Sequence, residues 1–199
     1  LALNVHDAVM TLVEGGCDLL LCYHHPRQPL LLDASQYDMI SMGTEALRPY
    51  TRCDRHGQPE LQFPGTEDQP LPFLAYANNA YLGRMVDLIM NDARQPLHLN
   101  KRYETDMAEG LKMMALEGMG VAFLPESAVT RELKQKQLAR ADQSGAEWEV
   151  TMEIRLYRER PSIQRPGKPL VARLWEYLEQ LATENRGGRQ NKVRRSSLR

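Results

Sequence analysis

The 199-residue sequence has few of the features on which several protein classes depend. Its three cysteines, Cys17, Cys22 and Cys53, are odd in number and without repeated spacing, which argues against a disulfide framework and favours a reducing cytoplasm. Only Cys53, beside Arg52 and Arg55, has neighbours of the kind that lower a thiol pKa, and an incidental thiol without a role is the favoured alternative. No apolar run approaches the roughly 20 residues that cross a bilayer, so no membrane partner is expected.

Enzyme motifs are also missing. The glycine pairs at 15–16 and 118–120 follow predicted helices and not strands, which is the wrong order for a dinucleotide-binding turn. There is no G-x-S-x-G nucleophile elbow. His24 and His25 are adjacent on an extended segment, so they point to opposite faces and make a poor metal chelate. The sequence therefore predicts no enzyme, no metal and no cofactor.

What the sequence does contain is an alternation of short apolar runs and amphipathic segments. Helices are predicted at 7–14, 80–91, 106–116, 125–132 and 169–181. Strands are predicted at 1–4, 18–23, 30–33, 37–42, 72–76, 97–103, 121–124 and 147–158. This alternation indicates an α/β fold with mostly parallel sheets.

Two predicted strand-to-helix turns have the composition of ligand sites. The first turn contains Tyr76, Asn78, Asn79 and Tyr81, and the second contains Thr105, Asp106 and Met107. Ligands of open α/β sheets bind at the carboxyl ends of the strands, where the first N–H groups of each helix lack partners. The same residue types also serve as ordinary helix caps, and the sequence leaves both roles open.

Methionine is the one compositional oddity, with ten residues in the chain. Met107, Met113, Met114 and Met119 lie close together in the sequence. Methionine most often fills irregular core space, and composition alone favours that role. Its thioether is also readily oxidised to a polar sulfoxide, so oxidation chemistry is the alternative.

Three segments together resemble the regulatory domain of LysR-type transcription regulators. They are LNVHDAVMTLVEGGCDLLLCY, GLKMMALEGMGVAFLPESAV and QRPGKPLVARLWEYLEQL. The resemblance implies two Rossmann-like lobes joined by two crossing strands, like a periplasmic binding protein, with a ligand cleft between them. We predict lobe I from residues 1–47 and 148–185, lobe II from 48–147, and a disordered basic tail at 186–199.

The resemblance also implies partners. It implies promoter DNA bound through an N-terminal winged helix-turn-helix that this sequence does not contain, and a homodimer or tetramer. The sequence opens on Leu1 and not on a methionine, so we interpret it as a fragment that also lacks the first strand and helix of lobe I. The helical segments 9–13 and 80–90 are the candidate dimer faces, and an ordinary buried helix face is the alternative for each. A periplasmic solute-binding protein of similar fold is the alternative from another class.

A finer likeness concerns the effector. NNAYLGRMV and TDMAEGLKMMALEGMGVAFLPE resemble hypochlorite-responsive members of the family, in which methionine oxidation is the proposed switch. This likeness places Met107 in the cleft of the second lobe and predicts an oxidant as the signal. A small anion or small-molecule effector bound at the same two turns is the alternative.

Overall fold

The computed structural model describes residues 3–30, 32–142, 146–163 and 165–196, with side chains in the last helix given as far as Glu184. The helices are α1 (Val5–Val13), α2 (Tyr81–Asn91), α3 (Ala108–Leu116), α4 (Glu126–Lys134) and α5 (Pro169–Ser196), with a 3-10 turn at Ala146–Trp148. The strands are β1 (Leu20–His24), β2 (Tyr37–Arg52), β3 (Leu71–Tyr76), β4 (Leu99–Thr105), β5 (Val121–Pro125), β6 (Leu138–Arg140) and β7 (Val150–Glu159). None of the helices in the described ranges combines the length and the apolar character needed to span a bilayer.

The chain divides into two compact units. The first consists of Leu1–Thr44 and Met152–Arg199, and the second is Glu45–Thr151. Strands β2 and β7 each begin in one unit and end in the other. The sheet is mixed, because strands of both directions pair in it. The predicted α/β fold is confirmed, but parallel pairing is limited to the second unit in the pairings described.

In the first unit, helices cover both faces of a small sheet. β1 pairs antiparallel with β7, and β7 lies next to β2 in the strand order. One face buries a cluster with α1, formed by Leu12, Leu20, Tyr37 and Tyr157. The other face buries a cluster with α5, formed by Ile40, Leu156, Trp175 and Ala182. Burial of these apolar side chains on both faces is what holds the layers together.

The start of α1 differs from the sequence prediction. Asn4 is the N-cap of this helix, and its side-chain oxygen accepts a hydrogen bond of 3.0 Å from the backbone N–H of Asp7. Leu3 and Asn4 therefore do not form the strand predicted at 1–4, whose first two residues lie outside the described part of the chain. The strand predicted at 30–33 is also wrong at its described positions, because the Asp33 carboxylate accepts the N–H of Ser35 and makes a turn.

The last helix is longer than predicted. The segment 186–199, predicted to be a disordered tail, instead continues α5 as far as Ser196, and residues 197–199 lie outside the described part. The segment contains no proline, and five of its fourteen residues are arginine, which has good helix propensity. The low hydrophobicity of this segment therefore did not predict that its backbone is helical as far as Ser196.

In the second unit, β5, β3 and β4 run parallel in that order, and the second half of β2 pairs antiparallel with β5 and β6. Aromatic rings fill the core beside the sheet. Phe63 contacts Phe123 edge-to-face at 5.4 Å and Trp148 at 4.8 Å between ring centroids. The side chains of Phe123 and Trp148 are fully buried, so this cluster fixes the position of β5 in the sheet.

An ion cluster in the first unit makes its stability depend on pH. Asp38 of β2 accepts hydrogen bonds from Arg160 at 2.9 Å and from Arg158 at 3.1 Å. Burial alone would raise the pKa of Asp38, but the two guanidinium groups outweigh it and hold that pKa below its ordinary value of 3.8. The folded state therefore favours the ionised carboxylate. This stabilisation is present above the ordinary pKa and is lost as the pH falls through the lowered one.

We expect Asp38→Asn to lower the free energy of unfolding by roughly 1–2 kcal/mol at pH 7, because charge-assisted hydrogen bonds are lost. The difference between wild type and variant should shrink as the pH falls below about 4, where the wild-type carboxylate also becomes protonated. Urea unfolding of both proteins between pH 7 and 3 measures this difference in the free energy of unfolding. A difference that stays constant over this range would contradict the assignment.

Candidate functional site

Strand register brings the two predicted turns together. β3 and β4 are parallel neighbours in which Tyr76 pairs with Thr105, the last residue of each strand. The backbone N–H of Ala77 then donates to the carbonyl oxygen of Thr105 over 2.9 Å. The segments after Tyr76 and after Thr105, which are 29 positions apart in the chain, therefore begin side by side. We call this end of β3, β4 and β5 the carboxyl edge.

Three helices begin at the carboxyl edge. β5 is parallel to β3, with Leu74 paired to Ala122, so it ends at the same edge and leads into α4. α2 follows β3 and α3 follows β4. Neighbouring strands are about 4.8 Å apart, and the first turn of each helix carries N–H groups without helical partners. The edge therefore gathers the positive ends of three helix dipoles.

The start of α2 has no side-chain cap. Its N-cap is Ala80, and no acidic residue lies in its first turn. Asn78 and Asn79 are exposed in the preceding turn. The predicted roles of Tyr76 and Tyr81 need correction, because both rings are buried and their hydroxyl oxygens are inaccessible to solvent. The open side of this turn is formed by the two asparagines.

A cation that the sequence analysis did not single out adjoins this turn. Arg84, one turn into α2, donates to the carbonyl oxygen of Asn79 over 3.0 Å, and its guanidinium lies 5.5 Å from the centroid of the Tyr81 ring. Its contact with the Tyr81 ring follows from helical spacing, since residues three positions apart are neighbours on a helix surface. Arg84 adds positive charge to the start of α2.

The start of α3 is formed by Met107 itself. This residue is the N-cap and makes no side-chain capping hydrogen bond, whereas Thr105 or Asp106 was predicted as the cap. Thr105 lies two positions before this N-cap, and its hydroxyl oxygen accepts a hydrogen bond of 3.4 Å from the backbone N–H of Met107. The Met107 side chain is 60% exposed. A thioether therefore stands where a capping oxygen would ordinarily be.

The start of α4 is already occupied. Glu45, a buried residue of β2, places its carboxylate oxygen 3.2 Å from the N–H of Ser127 in the first turn of α4. Arg48 on the same strand also holds this turn through Glu126, with 2.7 Å between nitrogen and oxygen. Glu45 was missed from the sequence because it lies 82 positions from Ser127, within a strand.

We expect Glu45→Ala to destabilise the protein by about 1–2 kcal/mol, because it leaves a helix N–H without an acceptor. Glu45→Gln is the matched control, since its amide oxygen can still accept that N–H. Urea unfolding at pH 7 should place the glutamine variant close to wild type and the alanine variant below both. Equal stability of all three proteins would contradict the capping role.

Exposure does not distinguish three methionines in and around α3. Met113 and Met119 are 57% and 53% exposed, similar to Met107. The side chains that α3 buries are Leu111 and Ala115, so Met113 does not fill core space as composition alone favoured. These three methionines have similar exposure, but among them only Met107 lies at the start of a helix.

The three thiols do not form a second redox centre. Burial raises the pKa of Cys53, and Asp54 and Glu60 raise it further, so the lowered pKa predicted for this thiol is wrong. Burial also raises the pKa of Cys22 to about 11. Protonated thiols are poor nucleophiles. Within the described residues, no group of three or more His, Cys, Asp or Glu side chains is placed to hold a metal ion.

The structure contains two cavities of interest. One of about 110 Å³ lies between α2 and β4, and Asn78, Met90 and Lys101 are among its lining residues. The other, of about 360 Å³ in the first unit, lies beside Lys168 and Arg165. Both cations are already paired there, Lys168 with Asp18 at 2.9 Å and Arg165 with Glu159 at 3.0 Å. The carboxyl edge is therefore the stronger candidate site.

A two-unit α/β fold whose parallel strands end together at one edge is the architecture of periplasmic-binding-protein-like domains, which bind their ligands at such edges. The family model described as the LysR substrate binding domain matches residues 1–183. The chain belongs to this family and is the effector-binding domain of a LysR-type transcriptional regulator.

Two similar proteins are also described as transcriptional regulators. The chain is 30% identical over 181 residues to the HTH domain-truncated transcriptional regulator QseD of Escherichia coli O157:H7, covering 90% of this chain and 69% of that protein. It is 29% identical to the HTH-type transcriptional regulator YjiE of Escherichia coli K12, covering 90% of this chain but 55% of that protein.

Among solved structures, the regulatory domain of HypT from Salmonella typhimurium aligns with a TM-score of 0.77 and 26% identity. The alignment covers 92% of this chain and 81% of that one. HypT is described as a hypochlorite-specific LysR-type regulator, and its regulatory domain has also been solved with bromide bound.

Proposed function

We propose that this domain senses hypochlorite through oxidation of Met107. The observation that carries the proposal is the position of this exposed thioether at the uncapped start of α3, next to the uncapped start of α2. In the reaction the sulfur attacks the chlorine of hypochlorous acid, which releases hydroxide, and water then displaces chloride from sulfur. The sulfur gains one oxygen atom overall, and chloride and a proton leave. The similarity to HypT, described as hypochlorite-specific, supports this choice of oxidant.

Oxidation changes what Met107 can bind. The sulfoxide oxygen is a strong hydrogen-bond acceptor, whereas the thioether is a weak one. N–H groups in the turn before α2 and in the first turns of α2 and α3 are nearby donors, and both helix dipoles favour an electron-rich oxygen there. Oxidation therefore joins the starts of α2 and α3 and shifts the domain toward a second conformation.

The proposal extends to the full-length regulator. We infer that it binds promoter DNA through a winged helix-turn-helix outside this chain, acts in the cytoplasm, and assembles as a homodimer or tetramer. The exposed faces of α1 and α2 are the proposed contact surfaces between subunits. Met10 and Val13 of α1, at 40% and 39% exposure, support that role.

A second candidate is reversible binding of a small anion at the same place. The observation in its favour is the start of α2, which has neither a side-chain cap nor an acidic residue in its first turn and therefore attracts negative charge. The bromide-bound form of the HypT regulatory domain supports it as well. This candidate requires no covalent change, so the two proposals differ in what remains after the ligand is removed.

Peptide mass spectrometry after graded hypochlorite treatment tests the oxidation proposal. Met113 and Met119 are internal controls, because their exposures match that of Met107 within a few per cent. If exposure alone governs oxidation, all three should form sulfoxide equally. We expect sulfoxide at Met107 at the lowest dose, and no such preference with peroxide or mock treatment. Equal oxidation of the three methionines by hypochlorite would reject the proposal and favour a reversible effector.

A further inference from the structure

The end of the sequence differs from the rest in charge. Residues 186–199 contain five arginines and one lysine and no aspartate or glutamate, so their charge is +6. Because the whole chain has a net charge of −1, residues 1–185 have a net charge of −7. The family model ends at residue 183, so the basic segment lies beyond the domain that the family shares. We call residues 186–199 the basic extension.

The backbone of the basic extension continues a helix that is anchored in the first unit. α5 runs from Pro169 to Ser196, and its Trp175 and Ala182 are packed in the core with 4% exposure each. A helix rises 1.5 Å per residue, so residues 186–195 extend about 14 Å. This short length contains five of the six cations of the basic extension. The continuation of α5 therefore has a high density of positive charge.

The basic extension does not supply counter-charges for its own cations. In the body of the first unit cations are paired with carboxylates, as Arg165 is with Glu159 at 3.0 Å. The basic extension has no aspartate or glutamate for such pairs, and cations such as Arg186 and Arg189 are three positions apart. Like charges at helical spacing repel each other. An anionic partner of high charge density relieves this repulsion.

Composition distinguishes among the anionic partners. The large apolar residues of the basic extension are Val193 and Leu198, too few for the apolar face with which helices enter a lipid interface. It has no Phe, Tyr or Trp, the side chains on which single-stranded nucleic acids stack their bases. Duplex DNA requires neither feature, because its phosphates carry one negative charge per about 1.7 Å of helix axis. About eight phosphates therefore lie along 14 Å of duplex.

We propose that the basic extension binds the phosphate backbone of duplex DNA without preference for sequence. The chain belongs to a family of transcriptional regulators, so DNA is a molecule that the full-length protein meets. Phosphate contacts position a protein on DNA and carry no sequence information directly. The basic extension is then a second DNA contact, separate in the sequence from the proposed helix-turn-helix. The inference does not depend on Met107 or on oxidant sensing.

Fluorescence anisotropy of a short labelled duplex, titrated with the 199-residue chain, tests the inference. We expect a dissociation constant of about 10 μM at about 50 mM NaCl, and the same value for two duplexes of unrelated sequence. If the chain neutralises about four phosphates, its affinity should fall roughly 100-fold between about 50 and 200 mM NaCl, because released counterions oppose binding at high salt.

Two variants separate position from total charge. Glutamine keeps good helix propensity without charge, so the extension variant is Arg186→Gln, Arg189→Gln, Lys192→Gln, Arg194→Gln and Arg195→Gln. The matched control removes five exposed cations elsewhere, through Arg94→Gln, Arg102→Gln, Arg131→Gln, Lys134→Gln and Arg173→Gln. Both variants have a net charge of −6. We expect the control to bind within about threefold of wild type and the extension variant to bind at least about 30-fold more weakly.

Three results overturn the inference. One is wild type that does not bind duplex DNA at low salt, and another is an extension variant that binds as tightly as wild type. The third is tighter binding to phosphatidylglycerol vesicles or to single-stranded RNA than to duplex DNA, which assigns the basic extension to another partner. A preference of more than about tenfold for one duplex sequence contradicts recognition of the backbone.

Discussion

Replacement of Met107 by leucine is expected to leave the fold intact and to abolish the response to hypochlorite. The side chain is 60% exposed and makes no capping hydrogen bond, so its loss costs little stability. Leucine has nearly the same volume and cannot form a sulfoxide. In a reporter strain carrying the full-length regulator, induction by hypochlorite should fall to the untreated level. Thermal melting of the isolated domain should change by less than about 2 °C.

The control for this prediction is Met113→Leu, at a methionine of similar exposure on the same helix. This variant should respond to hypochlorite like wild type. Met107→Gln adds a further arm, because its amide oxygen mimics the sulfoxide acceptor and should give partial activity without oxidant. Full induction of the Met107→Leu regulator would contradict the proposed role of this residue.

Substitution of Gly120 by alanine is expected to cause the largest loss of stability. This glycine precedes β5, and a Cβ at this position would overlap the carbonyl oxygen of Pro72 and lie 3.2 Å from the Leu74 side chain. The neighbour is backbone of β3, so the clash can be relieved only by moving one strand away from the other. We expect a cost of about 3 kcal/mol, which lowers the melting temperature by about 10 °C.

Gly15→Ala is the matched control for this effect. Gly15 also has a positive φ, 76°, but no atom lies within 4 Å of its added Cβ. Only backbone strain remains, and this costs about 1 kcal/mol. Because β3 and β5 carry α2 and α4, Gly120→Ala should also perturb the carboxyl edge. If the Gly120→Ala protein is as stable as the Gly15→Ala protein, the backbone of β3 does not closely approach Gly120.

The sequence predicted the elements of the carboxyl edge better than their mutual arrangement. Alternation of apolar and polar residues located β3, α2, α3 and β5 to within two residues. It also selected the turns after Tyr76 and Thr105, because polar residues lay between a predicted strand and a predicted helix. Their contact depends on the parallel register of β3 and β4, which is set by packing across the whole sheet and leaves no local mark on the sequence.

Other features depended on contacts between distant positions. Tyr76 and Tyr81 were predicted to be part of a ligand site, but both rings are buried. A tyrosine beside a turn has the same sequence pattern whether its ring faces solvent or core. β2 was predicted to end near residue 42, since Gly43 and Pro49 are typical of strand ends, yet it continues to Arg52. The Glu45 cap on α4 joins residues 82 positions apart.

Hydrogen exchange of the domain before and after oxidation measures the central claim most directly. Wild type and Met107→Leu would be treated with one equivalent of hypochlorite, quenched, and followed at the peptides covering residues 77–83 and 105–111. The account predicts slower exchange of the α2 and α3 first-turn amides in oxidised wild type, and no change in the variant, because only a sulfoxide at Met107 supplies the new acceptor. Equal protection in both proteins, or none in either, would contradict it.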